Sequence, residues 1–403
     1  MSQHFWPETF RINEVVESLM DAGCEVTVLA GQPNYPDGKI FAGYGAARAG
    51  RSRHPAGYTI CRVPIIPRGK SGALRLFANY MSFVVSAAVI GPFLLRGQTY
   101  DVVFVYAISP ILQAIPAIFI RYLKSASLVI WVQDLWPRSL EATGYVKNSW
   151  ILASVAAVTK WIYSRADLLL VPSRGLGRLI APAAASTRIA FHPNPAETAV
   201  SADHSSQPIS VEFPLGFSVV FAGNIGTAQA LDTVIDAAEL LINEKDIHFQ
   251  LIGSGSRLAY LMDEVRRRRL SNVSFPGRYP PEAMSQIYAR SSALLASLVH
   301  DDGLAEVIPS KVQTYLAAGR PIIAALEGEG AEIVRSSGAG LVVPPEDCRA
   351  LVDAILRLKR MPKAEQDAMG DAGRKFFREH FDPKRLAAAL TSHFEDAISS
   401  RRR

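Results

Sequence analysis

Residues 303–326, GLAEVIPSKVQTYLAAGRPIIAAL, couple a polar turn, a short helix and a buried strand. Pro309 and Ser310 suit a helix start, with Ser310 at the N-cap and Lys311 in the first turn. Val312, Tyr315 and Leu316 then give an apolar face, and Gly319 a C-terminal stop. After Pro321, the run Ile322, Ile323, Ala324 reads as a strand too apolar to face water. A helix N-terminus presents free N–H groups and a partial positive charge, so the turn before it is a natural place for a phosphate. Taken alone, the stretch is equally an ordinary loop, helix and strand, and its meaning comes from what surrounds it.

Working back from it, the second half of the chain alternates strand and helix: strand 217–221, helix 230–242, strand 248–252, helix 257–270, strand 273–275, helix 281–289 and strand 293–297. Such alternation with short loops predicts a parallel sheet covered by helices on both faces. Two of its turns are glycine-rich, Gly223-Asn224-Ile225-Gly226 and Gly253-Ser254-Gly255, where backbone N–H groups can approach a phosphate without Cβ interference. With Ser310 and Lys311 added, the constellation suits a nucleoside diphosphate. The GxGxxG of a dinucleotide-binding dehydrogenase is absent from both turns.

The first half has the same character. QHFWPE near the N-terminus reads as the loop that follows a first strand, and a doubly wound sheet keeps that strand at its centre. The reading frame is therefore expected to begin about 5–10 residues upstream, a strand averaging about 5–6 residues. Helix 12–22 and strand 25–30 follow, then a turn-rich loop, 31–44, carrying Asn34, Tyr35, Asp37 and Lys39. Strand 58–64 leads to a basic hinge, Arg68, Gly69 and Lys70. Residues 76–95 form the most apolar helical stretch, but Asn79, Ser82, Ser86, Gly91 and Pro92 interrupt it, which favours a buried or membrane-surface helix over a span. Strand 101–107, helix 111–123 and strand 127–132 lead to Gln133, Asp134, Leu135, Trp136 and Pro137, where Asp134 is expected at the cleft. Strand 167–172, a helix capped by Ser173, and residues 189–195 close the domain, before a linker at 196–208.

With 403 residues, two α/β domains are expected at about 150 residues each. Hydrophobic residues at 49% and charged residues at 20% describe a globular chain. Cys24, Cys61 and Cys348 lie far apart with no metal-ligand spacing, which fits a reducing compartment. MSQHFWPETF has neither the basic start nor the apolar core of a secretory signal, so a cytoplasmic location is expected. Residues 1–190 hold 19 Lys+Arg against 10 Asp+Glu, and residues 191–403 hold 24 against 27. The basic half carries no nucleic-acid motif, so an anionic membrane surface or a pyrophosphate is the expected partner, and nucleic acid is not.

PNYPDG, QDLWP, PNP at the domain end, FAGNIG, LIGSG, NVSFPGRY and PSKVQTYLAAGRPII occur in that order. In these the chain resembles glycosyltransferase family 4 of the GT-B fold, most closely the bacterial O-antigen and colanic-acid transferases of the N-acetyl-L-fucosamine transferase type. The resemblance implies an α/β chain of two Rossmann-like, doubly wound parallel-sheet domains facing across a cleft. Residues 1–195 would bind acceptor and 209–375 nucleotide sugar, with 376–403 a C-terminal helix packing back toward the first domain. It implies a retaining transfer of a hexosyl or N-acetylaminosugar unit from a nucleotide-diphosphate donor, UDP-linked for preference, to a polyprenyl-diphosphate-linked saccharide. The enzyme would lie peripherally on the inner face of the cytoplasmic membrane and need no cofactor and no metal. Competing readings are a nucleotide-sugar epimerase on the same two-domain plan and a non-catalytic nucleotide-sugar-binding assembly protein.

The family's signature pairs two glutamates ahead of the Ala-Ala-Gly turn. The first matches Glu306, expected on donor sugar hydroxyls, and the second falls on Thr314. Asn224 and Gln229 stand where many members carry cations, so Lys311, with Arg278 second, is expected to supply the charge at the diphosphate. Gln133 replaces a cleft histidine, which moves the polar role to Asp134, and Arg138 stands where the subgroup has Glu. The expected catalytic group is thus Glu306, Lys311 and Asp134. Donor contacts are expected from Gly223, Asn224, Gly226, Gly253, Gly255, Phe275, Gly277, Arg278, Ser310 and Thr314, and acceptor contacts from Arg11, Asn34, Tyr35 and Trp136. Asp301-Asp302 lacks the spacing of a DxD metal motif and reads as a polar loop.

Overall fold

The computed structural model describes residues 1–69, 72–142, 148–196 and 213–402. Lys70 of the basic hinge and nearly all of the expected linker lie outside the described residues. The chain forms two compact units, Met1–Asn194 together with Pro383–Arg403, and Pro195–Asp382.

In the first unit, α1 (Ile12–Asp21) buries Ile12, Val15, Val16 and Leu19, the i, i+3, i+4, i+7 stripe of an amphipathic helix. β1 (Thr27–Gly31) follows, then β2 (Gly50–Arg53) and β3 (Thr59–Val63). β2 is exposed at every residue and pairs antiparallel with β3. Its sequence, GRSR, has no apolar alternation, and the ladder to β3 alone makes it a strand. The apolar stretch expected as one helix is two, α2 (Ala73–Val89) and α3 (Gly91–Leu94), because Pro92 in the first turn of α3 lacks the N–H that would continue α2. No helix among the described residues is long and apolar enough to cross a membrane.

β4 (Val102–Ala107), α4 (Ile115–Lys124) and β5 (Ser127–Val132) come next, β5 buried at every position. The short α5 (Arg138–Ala142) precedes α6 (Ser149–Ser164), which Asn148 caps by accepting from the N–H groups of Trp150 and Ile151. β6 (Leu168–Val171), α7 (Arg174–Ala184) and β7 (Ile189–Phe191) complete this part. Ser173 caps α7 as expected, its Oγ accepting from Leu176 N at 3.0 Å. The strands form two ladders, β2-β3-β1 and the all-parallel β4-β5-β6-β7.

The second unit is a six-stranded sheet in the order β10-β9-β8-β11-β12-β13, every described pair parallel. Its elements are β8 (Phe217–Asn224), α8 (Leu231–Leu240), β9 (Ile247–Ser254), α9 (Leu258–Arg267), β10 (Val273–Gly277), α10 (Pro281–Arg290) and β11 (Ala293–Ser297). α11 (Asp302–Ala305), α12 (Ser310–Ala318), β12 (Ile322–Ala325), α13 (Gly328–Ser337), β13 (Gly340–Val343), α14 (Cys348–Arg360) and α15 (Lys363–His380) follow. Numbered by appearance the sheet runs 3-2-1-4-5-6, the doubly wound order, with its topological switch between β8 and β11. One apolar cluster, with Phe221, Phe249, Leu295 and Ile355, fills one face, and another, with Val220, Leu294, Tyr315 and Leu316, fills the other.

The expected boundary at residue 376 falls inside α15. α16 (Pro383–Arg402) belongs to the first unit, where it packs on α1 and β5 and brings Leu390 and Ala397 into one cluster with Ile12, Val16 and Trp131.

Candidate functional site

In an open α/β sheet, ligands bind beyond the carboxyl ends of the strands at the topological switch. The second unit has a cavity there of about 550 Å³, whose lining includes Gly223 and Asn224 ending β8, Gly253 and Ser254 ending β9, and Ser310, Lys311 and Thr314 opening α12. Arg278, Tyr279 and Met284 line it from beyond β10 and from α10. Of the expected donor contacts, Gly223, Asn224, Gly253, Arg278, Ser310 and Thr314 are therefore gathered in one place, together with Lys311.

The glycines are needed for closeness. Gly253 has φ +140, and a Cβ on it would fall 1.8 Å from Gly223 O, so the two strand ends touch through bare backbone. At Gly223 (φ +136) a Cβ would lie 2.7 Å from Lys311 Cε. The Lys311 stem thus lies across the end of β8, with Nζ 4.8 Å from the centre of the Phe221 ring. Tyr315 fixes this arrangement. Its hydroxyl accepts from Ala222 N at 3.1 Å and donates to Ala222 O at 3.4 Å, tying α12 to β8 one residue before Gly223. Complete burial raises the Tyr315 phenol well above its ordinary pKa, so it stays a neutral donor. From sequence Tyr315 is only part of an apolar helix face.

The N-cap of α12 is Pro309, which has no side-chain cap hydrogen bond, and Ser310 is the first helical residue. That corrects the expected N-cap by one position, for a physical reason: Pro309 is extended, with φ −64 and ψ 132, and begins the turn itself. The N–H groups of the first turn are therefore not taken by a Ser310 cap.

Several other expected residues are not among the described lining of this cavity. Gly226 N donates to Gln229 Oε1 at 3.1 Å, so Gln229 closes the turn after β8, and neither Gly226 nor Gly255 belongs to the described lining. Phe275 packs against the cluster on the far face of the sheet, and Gly277 ends β10 with φ +90 and open space around it. Glu306 is the C-cap of α11 and also lies outside the described lining. Asp301 caps α11, its Oδ1 accepting from Gly303 N and Leu304 N at 2.9 Å each, and Asp302 is the first residue of that helix.

In the first unit, Asp134 Oδ2 accepts from Ser109 N at 2.8 Å and Ser109 Oγ at 2.7 Å, and Trp136 Nε1 donates to Ser109 Oγ at 3.3 Å. Trp136 is buried in the core, so it supports Asp134 through Ser109. Asn34 is 0% exposed. Its Nδ2 donates to Gln32 O and its Oδ1 accepts from Arg68 N at 3.0 Å, which makes it a loop anchor where an acceptor contact was expected. Tyr35 is 38% exposed, with the Arg68 guanidinium 5.5 Å from its ring centre. Arg11 is half-buried at the N-cap of α1.

Sequence reasoning missed what holds this loop. The buried Glu8 carboxylate accepts from Asn34 N and Tyr35 N at 2.7 Å each and from Phe5 N at 3.1 Å, with His4 Nδ1 3.1 Å away. The available signal was a lone carboxylate in the otherwise uncharged QHFWPE loop.

Two family models match the chain, "Glycosyl transferase 4-like domain" over residues 9–195 and "Glycosyl transferases group 1" over residues 216–360. The chain is 26% identical over 382 residues to the putative colanic acid biosynthesis glycosyl transferase WcaI of Escherichia coli (strain K12), covering 91% of this chain and 92% of that protein. It is 30% identical over 250 residues to the probable glycosyltransferase WbjE of Pseudomonas aeruginosa, covering 59% of this chain and 60% of that one. Among solved structures it is similar to an E. coli trehalose-6-phosphate protein bound with UDP-2-fluoro glucose (TM-score 0.72, 11% identity, 98% of each chain). Anabaena Alr3699/HepE in complex with UDP is a second (TM-score 0.61, 13% identity, 84% of this chain and 86% of that one). Both likenesses show the fold. Matched in both its units, the chain is a glycosyltransferase of family 4 with the GT-B fold.

Proposed function

We propose that this glycosyltransferase moves a hexosyl or N-acetylaminosugar unit, with retention, from a nucleotide-diphosphate donor to a polyprenyl-diphosphate-linked saccharide in O-antigen or exopolysaccharide assembly. The observation that carries the donor half is the cavity at the switch point of the second unit, with Lys311 laid across Gly223 at the start of α12. No carboxylate is among its described lining residues, and its cations are Lys311 and Arg278. A diphosphate leaving group gains charge as the bond between the sugar's anomeric carbon and the phosphate oxygen breaks, and cations and N–H dipoles already in place stabilise that state more than the ground state. Tyr279 and Met284 supply an apolar flank for the base. A UDP-linked donor is favoured because UDP and a UDP-sugar analogue are named with two structures of similar fold. The polysaccharide setting rests on relatives named for colanic acid and O-antigen chain synthesis.

For the acceptor, the reading rests on Asp134, in the loop after β5, and on the exposed Tyr35, in the loop after β1. An anionic membrane surface is supported by the apolar side chains this unit leaves in water, Leu74 (82% exposed), Phe77 and Phe93 (72%) on α2 and α3 and Phe119 and Leu123 on α4, alongside its excess of basic residues.

A turnover screen tests the reading, pairing a panel of nucleotide sugars with a polyprenyl-diphosphate-sugar acceptor. Nucleoside diphosphate released only with acceptor, lost in Glu306→Ala, and a product of unchanged anomeric configuration are expected. Donor binding with no turnover would replace it with the non-catalytic binder, and a rearranged sugar released without acceptor with the epimerase.

A further inference from the structure

Asn79, Ser82 and Ser86 interrupt the apolar run of α2, and all three bond the segment that leaves β3. Asn79 Nδ2 donates to Ile66 O at 2.6 Å, Ser82 Oγ accepts from Ile66 N at 2.9 Å, and Ser86 Oγ donates to Pro64 O at 2.6 Å. Ile65 N donates to Ala46 O at 3.0 Å, while Pro64 and Pro67 have no N–H to offer. Every backbone donor of residues 64–67 is therefore used or absent. The segment is tied along α2 and offers no N–H to an incoming chain.

Between this segment and α2 lies a groove of about 600 Å³, whose lining includes Ile66, Pro67, Val85, Val89 and Ile90. Ser82 and Ser86 line it too, with their hydroxyls engaged in the bonds just given. Ile66, Val85 and Val89 are 48%, 57% and 58% exposed. Apolar surface thus stands in water along roughly 12 Å of helix between Ser82 and Ile90.

One end of the groove is basic. Arg75 and Ser82 are i and i+7 on the same face of α2. Arg75 Nε donates to Pro67 O at 3.4 Å, and a Cβ on Gly69 (φ +70) would fall 2.7 Å from that Nε, so the side chain lies along the backbone of residues 67–69. Arg68 leaves that same backbone. Its N donates to Asn34 Oδ1 at 3.0 Å, and its guanidinium lies against the ring of Tyr35. Among the described residues no carboxylate forms an ion pair with either arginine. The groove therefore ends on two cations beside the loop that carries the exposed Tyr35.

The ligand chemistry that matches is a hydrocarbon chain with no hydrogen-bonding groups and a multiply charged anion at one end. A peptide strand would find no backbone donor along residues 64–67, and a phospholipid such as phosphatidylglycerol would bring one negative charge to two arginines. We propose that this groove is the subsite for the lipid half of the acceptor: the diphosphate of a polyprenyl-diphosphate-linked saccharide lies at Arg68 and Arg75, and its first isoprene units lie against Ile66, Val85 and Val89. The assignment rests on the polyprenyl-linked acceptor read above and gives that acceptor a direction, sugar toward Tyr35 and lipid along α2.

Farnesyl diphosphate and isopentenyl diphosphate share a head and differ in chain length, so calorimetry with the 403-residue chain and no detergent reads the groove directly. The wild type is expected to bind the farnesyl compound at least about tenfold more tightly. Val85→Asn combined with Val89→Asn, at positions already in water, should keep Tm within about 2 °C and lose that preference. Arg68→Gln combined with Arg75→Gln should weaken farnesyl diphosphate about 10- to 100-fold. Both pairs lie in the first unit, so neither loss can come from the cavity of the second. Equal affinity for the two compounds in the wild type, a chain preference kept by the asparagine variant, or unchanged affinity in the glutamine variant would each overturn the proposal. Displacement of farnesyl diphosphate by phosphatidylglycerol vesicles at equal phosphate would overturn it as well, assigning the groove to the bilayer. No donor or turnover enters these measurements, so the two readings fail separately. Sugar transfer to a polyprenyl acceptor with unaltered binding in these variants would sink the subsite alone, and farnesyl diphosphate bound here with no transfer would sink the transfer alone.

Discussion

Lys311 is where sequence and geometry meet most directly. Tyr315 fixes the helix that carries it, and Gly223 leaves room for its stem. Lys311→Ala is expected to weaken nucleoside-diphosphate binding about 10- to 100-fold by calorimetry, the range for losing a charge-assisted contact, while Tm moves little. His192 acts on stability instead. It is 2% exposed, with Trp131 Nε1 donating to its backbone oxygen and the His393 ring 5.6 Å away. Burial first, and then the neighbouring His393, push its pKa down to about 3 from 6.5. The folded state therefore holds His192 neutral while the unfolded chain binds a proton between those values. Its contribution is complete above pH 6.5 and is lost as pH falls toward 3. Urea midpoints measured across that window should fall with pH in the wild type and less steeply in His192→Gln.

Elements were legible where apolar periodicity wrote them and obscure where pairing did. β5 and β11 are buried at every position and were placed at their observed ends from sequence alone. β2, four exposed residues, exists only because β3 offers a ladder. The cavity residues ending β8 and β9 were legible as glycine turns, since backbone contact leaves a compositional mark. Asn34 and Trp136 were misplaced because a polar or aromatic residue in a strand-end loop looks the same whether it meets a ligand or ties the loop down. Glu8 was missed because its partners are backbone N–H groups, which no side-chain pattern records. At this scale the exposed row on α2 and α3 carries an expectation. Replacing Leu74, Phe77 and Phe93 by Ser should abolish flotation with anionic vesicles at low salt while Tm stays within about 2 °C, because these side chains are already in water. Unchanged flotation would remove the membrane surface from the proposal.

For the whole molecule, strand and helix alternation predicts two α/β domains, and the family resemblance implies a C-terminal helix returning to the first. It does not show where the return begins, because α14, α15 and α16 all read as helix and only packing separates them. Ending the chain after Asp382 should expose Ile12, Val16 and Trp131, which share a cluster with Leu390 and Ala397 of α16. Protease-resistant fragments of that truncated chain are expected to map to Pro195–Asp382, the first unit being digested. The polypeptide passes from the first unit to the second after Asn194 and back before Pro383, so the second unit is an insertion in the first. During synthesis the ribosome releases every residue of the inserted unit before it releases α16. The unit that starts first is thus completed last, and until α16 emerges its unfinished face is left to whatever in the cell shields nascent chains.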